Sequence, residues 1–310
     1  MKVLLAGGAG FIGSHLAEEL VSRGNDVVVL DNFSSGLEKN IESIKRKINV
    51  LRQDVNSFST NERYDFVLNF ASRASRTEWE RDPVGVALTN SVGSINLIKV
   101  ALACGAIYVF ASSSEIYGNA SVIPTPEHYF GSVSTTGSRS PYDEGKRFGE
   151  AIVKAYERQF GLRGIILRLF NTYGERMRGD DTYGRVVDRF INQALKNAPI
   201  TVYGDGSQTR SFTYVSDTVK GIVLAVERGR EGEVYNLGNN RELKILQLAE
   251  KIRDVTKSSS EIVFRPLPEG DPKRRAADIS KMKGLGWYPS ISIEVGIQKM
   301  AEFYKEEVRK

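Results

Sequence analysis

The sequence predicts an α/β protein: a doubly wound parallel sheet with a smaller mixed α/β C-terminal lobe. Two observations carry that prediction. The first two-thirds of the chain alternates short β-rich runs with helical patterns, and repeated strand–helix–strand units build parallel sheets. The strand candidates are continuous apolar runs, such as Val27-Val28-Val29-Leu30, which suits strands buried on both faces. A length of 310 residues with 41% hydrophobic and 26% charged residues is ordinary globular composition, enough for a sizeable core.

In chain order, strands are expected at 2–6, 26–30, 49–53, 66–70, 107–111 and 164–168, with helices at 12–22, 40–45, 84–103 and 142–160. After about Asn171 the rhythm loosens into short elements at 200–203, 234–237 and 262–264 and helices at 215–227 and 246–256. Residues 171–310 therefore read as mainly a substrate-binding lobe on the carboxyl edge of the sheet, with some segments returning to the domain formed by 1–170. Ligands bind at that edge in open α/β sheets.

The first strand runs through Val3-Leu4-Leu5-Ala6-Gly7-Gly8-Ala9-Gly10-Phe11-Ile12-Gly13 into a helix. Gly7, Gly10 and Gly13 permit a tight turn and close backbone approach to a pyrophosphate at the positive end of the helix dipole. The next strand closes on Asp31, whose carboxylate can accept from adenosine ribose hydroxyls and would repel a 2′-phosphate. No arginine immediately follows it, so the motif reads as a Rossmann-type site for NAD rather than NADP. Asp54, closing the following strand, is expected near the adenine; the wider contact set takes in Phe11, Ile12, Asn32, Val55, Phe70 and Ala71.

Charge and composition narrow the partners. The net charge of +5 comes from Lys and Arg scattered among nearly as many acids, without the basic stripe and interleaved aromatics of a nucleic-acid binder. The two histidines, His15 and His128, lack partners at ligand spacing, so neither a metal site nor a Ser-His-Asp triad is expected. His15, inside the first helix, reads as structural. A single cysteine, Cys104, allows no internal disulfide, Met1 begins a strand almost at once, and the longest apolar runs look strand-sized. A cytoplasmic protein that neither spans nor binds a membrane is the expectation.

Tyr142 and Lys146 lie one helical turn apart in Tyr142-Asp143-Glu144-Gly145-Lys146, downstream of Ser112-Ser113-Ser114-Glu115 at a strand end. An ammonium beside a phenol favours the phenolate, which would draw the tyrosine pKa down from about 10 toward a general base's range. With the glycine-rich motif, these residues resemble the extended short-chain dehydrogenase/reductases over nearly the whole chain. The resemblance implies that Tyr142 takes the proton of a sugar C4 hydroxyl while hydride passes from C4 to NAD. Ser113 would bond the same oxygen, and Lys146 would hold the nicotinamide ribose and tune Tyr142.

Glu115 bears on the subclass. UDP-hexose 4-epimerases commonly carry a Thr-like residue there, and dTDP-glucose 4,6-dehydratases an Asp-Glu pair. UDP-glucuronate decarboxylases resemble the chain more fully, through Ser114-Glu115-Ile116-Tyr117-Gly118, Arg139 to Arg147, Phe170 to Gly174, Gly184 to Val187, Thr201 to Phe212 and Asp271 to Arg275. That likeness implies oxidation at C4, loss of CO2 from C5 of the resulting β-keto acid, and return of hydride to give UDP-xylose. Arg185 and Arg210 are candidates for the UDP diphosphate, Asn171 for the diphosphate or sugar and Tyr203 for the uracil. Arg275 is a candidate for the glucuronate carboxylate or adjoining phosphate.

The chain departs from the decarboxylase pattern at Arg73 and Arg76, where prolines are usual, and at Glu175 and Ala277, also usually proline. A UDP-glucose 4-epimerase, a 4,6-dehydratase and a non-catalytic nucleotide binder stay open alternatives. The helices at 84–103 and 142–160 often pair between subunits in this family, which implies a homodimer.

Overall fold

The structure, a computed structural model, describes residues 1–177, 186–267 and 273–309, with the side chains of 308 and 309 left aside. Seven parallel strands form the central sheet in the order β3-β2-β1-β4-β5-β6 followed by Val234–Leu237. Here β1 is Lys2–Ala6, β2 Asp26–Leu30, β3 Ile48–Leu51, β4 Phe66–Asn69, β5 Ile107–Ser113 and β6 Arg163–Leu169. This is a Rossmann-like sheet, and its order reverses between β1 and β4, where a crevice opens at the carboxyl ends.

Alternate residues of these strands feed separate cores. Leu5, Val29, Leu68 and Val109 are buried on one face, and Leu4, Val28, Val67 and Tyr108 on the other. That two-sided burial is why the strand sequences are apolar without alternation. The long helices α3, Pro83–Cys104, and α4, Ser140–Phe160, pack side by side on one face. α3 starts where Asp82 accepts from the Gly85 N–H at 3.0 Å, and it stops at left-handed Gly105, as capping rules lead one to expect. Gly149 lets α4 sit close to the sheet, since a Cβ there would meet the Phe110 ring at 2.3 Å.

Several expectations are corrected. Residues 40–45 form no α-helix; Glu38–Lys47 winds in 3₁₀ turns, burying only Asn40, Ile41 and Ile44 among exposed charges. The strand expected at 49–53 ends at Leu51. A short helix, α2 (Arg76–Arg81), was not anticipated; six residues carry too little periodicity to stand out. The apolar runs are not all strand-sized: by length and composition alone α3 could cross a membrane, although half of its most apolar stretch is buried within the fold.

The C-terminal region completes the main sheet with Val234–Leu237 beside β6 and builds small sheets above the crevice. In one of them Arg274–Arg275 runs parallel to Thr209–Ser211, with Arg275 in register with Arg210. That pairing sets two distant arginines side by side at the carboxyl edge.

Candidate active site

A cavity of about 420 Å³ opens at the carboxyl ends of β1, β4, β5 and β6, walled on the far side by the C-terminal sheets. Gly7, Gly10, Phe11, Ile12, Gly13, Phe70, Tyr142 and Lys146 line it. An adjoining hollow shares Gly7, Gly10 and Phe70 with it and continues past Ala71 to Asp31, Asn32, Asp54 and Val55. All the residues expected to meet a dinucleotide therefore border one continuous groove.

The backbone fits such a ligand. Gly7 has a φ of +78°, and a Cβ on it would lie 2.6 Å from the Phe70 carbonyl. A Cβ on Gly13 would fall 2.0 Å from the Gly7 oxygen, so only glycine lets the helix α1, Phe11–Ser22, start this close to the turn. No side chain caps its first turn, leaving N–H groups for an anion. Asp31 accepts from the Ala9 N–H at 2.9 Å and the Phe33 N–H at 2.8 Å. Burial pushes its pKa up, and those two bonds oppose the rise. Each carboxylate oxygen keeps a further acceptor site for a ribose hydroxyl. Asn32 donates to Asp54 at 2.8 Å, fixing the far wall.

Ser113 ends β5, and Tyr142 and Lys146 project from the first turns of α4. Tyr142 is buried, and its hydroxyl is hydrogen-bonded to Ser113. Lys146, also buried, donates to the Ala111 carbonyl at 2.7 Å, and its Nζ stands 5.9 Å from the centre of the Tyr142 ring. Here the electrostatics correct the sequence expectation. Burial raises the Tyr142 pKa, which the Ser113 bond and Arg139 only partly offset. Burial also pulls Lys146 down to about 7, against the upward pull of Glu150. A lysine so desolvated lends its neighbour little charge, so spacing along the helix did not decide the phenol's pKa.

Glu115 lines the same cavity between two arginines. Arg275 grips both of its oxygens, one at 2.9 Å from Nη2, and Arg139 pairs with Oε2. Burial alone would raise the Glu115 pKa, but Arg275 and Arg139 outweigh it and hold the carboxyl below the ordinary range. Arg139 also reaches Asp143 at 3.4 Å. Burial, then repulsion from Glu115, drives Asp143 up to about 7. The site thus holds one carboxylate ionised beside another that is readily protonated near neutrality.

Asn171, Tyr203, Arg210 and Arg275 all border the cavity. Asn171 donates to the Ser211 carbonyl at 3.0 Å, and Arg210 is buried with Nη1 on the Thr209 carbonyl at 2.9 Å. Arg275 is committed to Glu115, a partner 160 positions away that sequence reasoning had not assigned it. Arg185 lies outside the described residues. Arg73 and Arg76 do reach the cavity wall, where Arg73 pairs with Asp82 and Arg76 with Glu80 at 3.0 Å. Glu175 meets the Tyr214 hydroxyl, and Ala277 is fully buried.

Sequence reasoning missed Arg139 as Glu115's partner, and it missed Trp79. The indole of Trp79 stacks on Tyr142 with ring centres 4.7 Å apart and planes 20° from parallel. The only signal available was a large aromatic in a short, otherwise charged segment beside the arginine substitutions.

Comparison with known proteins agrees with this geometry. Residues 3–238 match the family model described as the NAD dependent epimerase/dehydratase family. The chain is 40% identical over 311 residues to UDP-glucuronic acid decarboxylase 1 of Arabidopsis thaliana, spanning 99% of this chain and 71% of that protein. With UDP-glucuronic acid decarboxylase 1 of Danio rerio it shares 41% over 310 residues, spanning 99% and 73%. In three dimensions it is similar to UDP-glucose 4-epimerase of Thermotoga maritima solved with UDP-glucose, at a TM-score of 0.91 and 31% identity, over 99% of this chain and 100% of the other.

Proposed function

Because the chain belongs to the NAD dependent epimerase/dehydratase family, we propose that it is an NAD-dependent UDP-glucuronate decarboxylase that forms UDP-xylose. The observation that carries this reading is Glu115, held ionised by Arg275 and Arg139 in the cavity that Ser113 and Tyr142 also line. Transient oxidation at C4, all that a 4-epimerase needs, uses no such carboxylate. The near full-length likeness to the plant and fish decarboxylases supports the same choice.

NAD, when bound along the groove from Asp31 to Tyr142, supplies the hydride acceptor for C4 and then returns the hydride. The chain's own residues do the rest. Tyr142 takes the C4 hydroxyl proton as the C4–H bond gives up its hydride, and Ser113 holds the same oxygen. The product is a 4-keto sugar whose carboxylate is β to the carbonyl. When the C5–carboxylate bond breaks, its electron pair passes to the C4 oxygen, where the Ser113 and Tyr142 hydroxyls donate to the developing negative charge. The electron pair then returns from the C4 oxygen to C5, which takes a proton from water and leaves the C4 carbonyl restored. In the last step Tyr142 gives its proton to the C4 oxygen as hydride returns. A phenol whose pKa burial raises suits that donating role. Acting as a base requires nearby positive charge, of which Arg139 supplies part and the cationic ring of NAD, when bound, would supply more.

Glu115 is best suited to orienting the sugar as an acceptor, since arginines that hold it ionised make it a poor proton donor. Arg210, Arg185 and Asn171 are proposed to hold the diphosphate, Tyr203 the uracil and Arg275 the uronate end. The test is to incubate the protein with UDP-glucuronate and UDP-glucose separately and to identify the products. CO2 and UDP-xylose from the first are expected. Rapid conversion of UDP-glucose to UDP-galactose with no CO2 from UDP-glucuronate would replace this reading with the epimerase.

A homodimer is part of the proposal. On α3, Val84, Leu88 and Val92 recur every fourth residue and are exposed, as is Phe148 on α4. Residues four apart share one helix face, so the three α3 side chains form an apolar stripe. Sedimentation should report twice the 34.4 kDa chain mass, and a species of one chain mass at micromolar concentration would reject the dimer.

A further inference from the structure

We infer that Trp79 is a positioning residue, whose indole sets the plane of the Tyr142 phenol and steadies the Arg139–Glu115 pair beside it. The inference rests on the reading of Tyr142 as the group that exchanges the C4 hydroxyl proton.

The indole is itself firmly held. α2 is capped by Ser75, which accepts from the Glu78 N–H at 3.3 Å, and Trp79 Nε1 donates to the Arg73 carbonyl at 3.0 Å. Glu78, almost wholly buried, anchors the same turn through two 2.8 Å bonds from Arg81. Trp79, Val86 and Tyr142 form a small apolar cluster of their own. With its N–H tied and one flank on Val86, the indole has little freedom to turn.

Tyr142 needs that support. Its hydroxyl meets Ser113, but Lys146 is bonded to Ala111 and does not reach the phenol oxygen. One hydrogen bond leaves the ring able to swing about its Cα–Cβ bond, carrying the oxygen with it, and the indole stacked on one face blocks that swing. Aromatic pairs favour such offset stacking over alternative contacts. Meanwhile the Arg139 guanidinium stands 5.2 Å from the Trp79 ring centre while it grips Glu115, within the range of cation–π attraction. One side chain therefore touches both halves of the site: the proton-exchanging phenol and the arginine that holds Glu115.

The indole also excludes water. Burial is the main cause of the raised Tyr142 pKa, so removing the indole should let that pKa fall toward its ordinary value. The pH below which the base form is lost should then drop.

The experiment uses the full chain with NAD and UDP-glucuronate and compares Trp79→Leu, Trp79→Ala and Trp79→Phe with the unmodified enzyme. Leu and Ala should lower kcat by about 10²-fold, the scale on which small misplacements cost catalysis, with KM little changed. The acid limb of the kcat profile should move to lower pH. Phe, which restores a planar ring, should recover most of kcat and the original limb. Leu fills the space and guards against mere collapse of the fold, which circular dichroism would report. Near-native kcat and an unmoved acid limb in Trp79→Leu would overturn the inference, as would Leu rescuing the site as well as Phe does. Tyr142→Phe serves as the control. If that variant is inactive while Trp79→Leu behaves as native, only the role of Trp79 fails; if it stays active, the reading of the site fails.

Discussion

Replacing Tyr142 with Phe should lower turnover of UDP-glucuronate by about 10²–10⁴-fold, the contribution of a positioned acid–base group. The substitution removes one hydroxyl and leaves the ring against Trp79 and within the Trp79–Val86 cluster. Folding and NAD affinity should therefore change little, because the glycine turn, Asp31 and the groove wall keep their own contacts. Both hydride transfers depend on this hydroxyl, one releasing a proton to it and the other drawing a proton from it. Neither NADH nor a 4-keto sugar should accumulate. The measurements are CO2 release, absorbance of the reduced cofactor, and NAD binding on the same preparation. Near-normal turnover would remove Tyr142 from its proposed role, and lost NAD binding would point to a disrupted groove instead.

Replacing Glu115 with Gln should act at a different step. CO2 release should fall by at least about 10²-fold, the scale on which a lost orienting contact costs catalysis. Oxidation at C4 draws on Ser113, Tyr142 and Lys146, none of which the Glu115 carboxylate bonds; only the Glu115 backbone N–H, kept in the variant, reaches Ser113 Oγ at 3.2 Å. Some reduced cofactor or 4-keto sugar should therefore form and persist. The same change strips the Glu115 charge from Arg275, which is buried, and from Arg139, which is partly buried and keeps Asp143. Breaking a buried ion pair from one side commonly costs about 3–5 kcal/mol. Gln still accepts hydrogen bonds, so the loss of stability should lie toward or below the lower end of that range. Thermal unfolding would read it. A variant that decarboxylates as fast as the parent would sink the proposed role of Glu115. Unimpaired epimerisation of UDP-glucose by the same variant would favour the alternative activity.

What could be read in advance follows from how local each signal is. The Gly7, Gly10 and Gly13 spacing sits within one strand–turn–helix unit, and its steric reason is visible at atomic scale: a Cβ on Gly13 would fall 2.0 Å from the Gly7 oxygen. Tyr142 and Lys146 share a helix, so periodicity alone puts them on one face. The apolar runs of β1 and β2 announced burial on both sides, and both cores are there. By contrast, the pattern at 40–45 signalled a helix but not its 3₁₀ winding, and the six-residue α2 offered too few turns for a helical period to declare itself.

By itself, then, the sequence determined the parallel-sheet class, the glycine turn and closing acid of the dinucleotide groove, and the Tyr142–Lys146 pair, because backbone geometry and short-range spacing suffice for each of them. Only the tertiary structure decided what surrounds that group. Arg275 comes to Glu115 from 160 residues away, on a strand paired with Thr209–Ser211, and α2 folds over to lay Trp79 on Tyr142. The charge state of the site was decided there too. Spacing implied a phenol pKa lowered by Lys146, yet burial raises Tyr142 and brings Lys146 itself down to about 7. Desolvation depends on everything packed around a group, from every part of the chain, and no spacing along one helix encodes it.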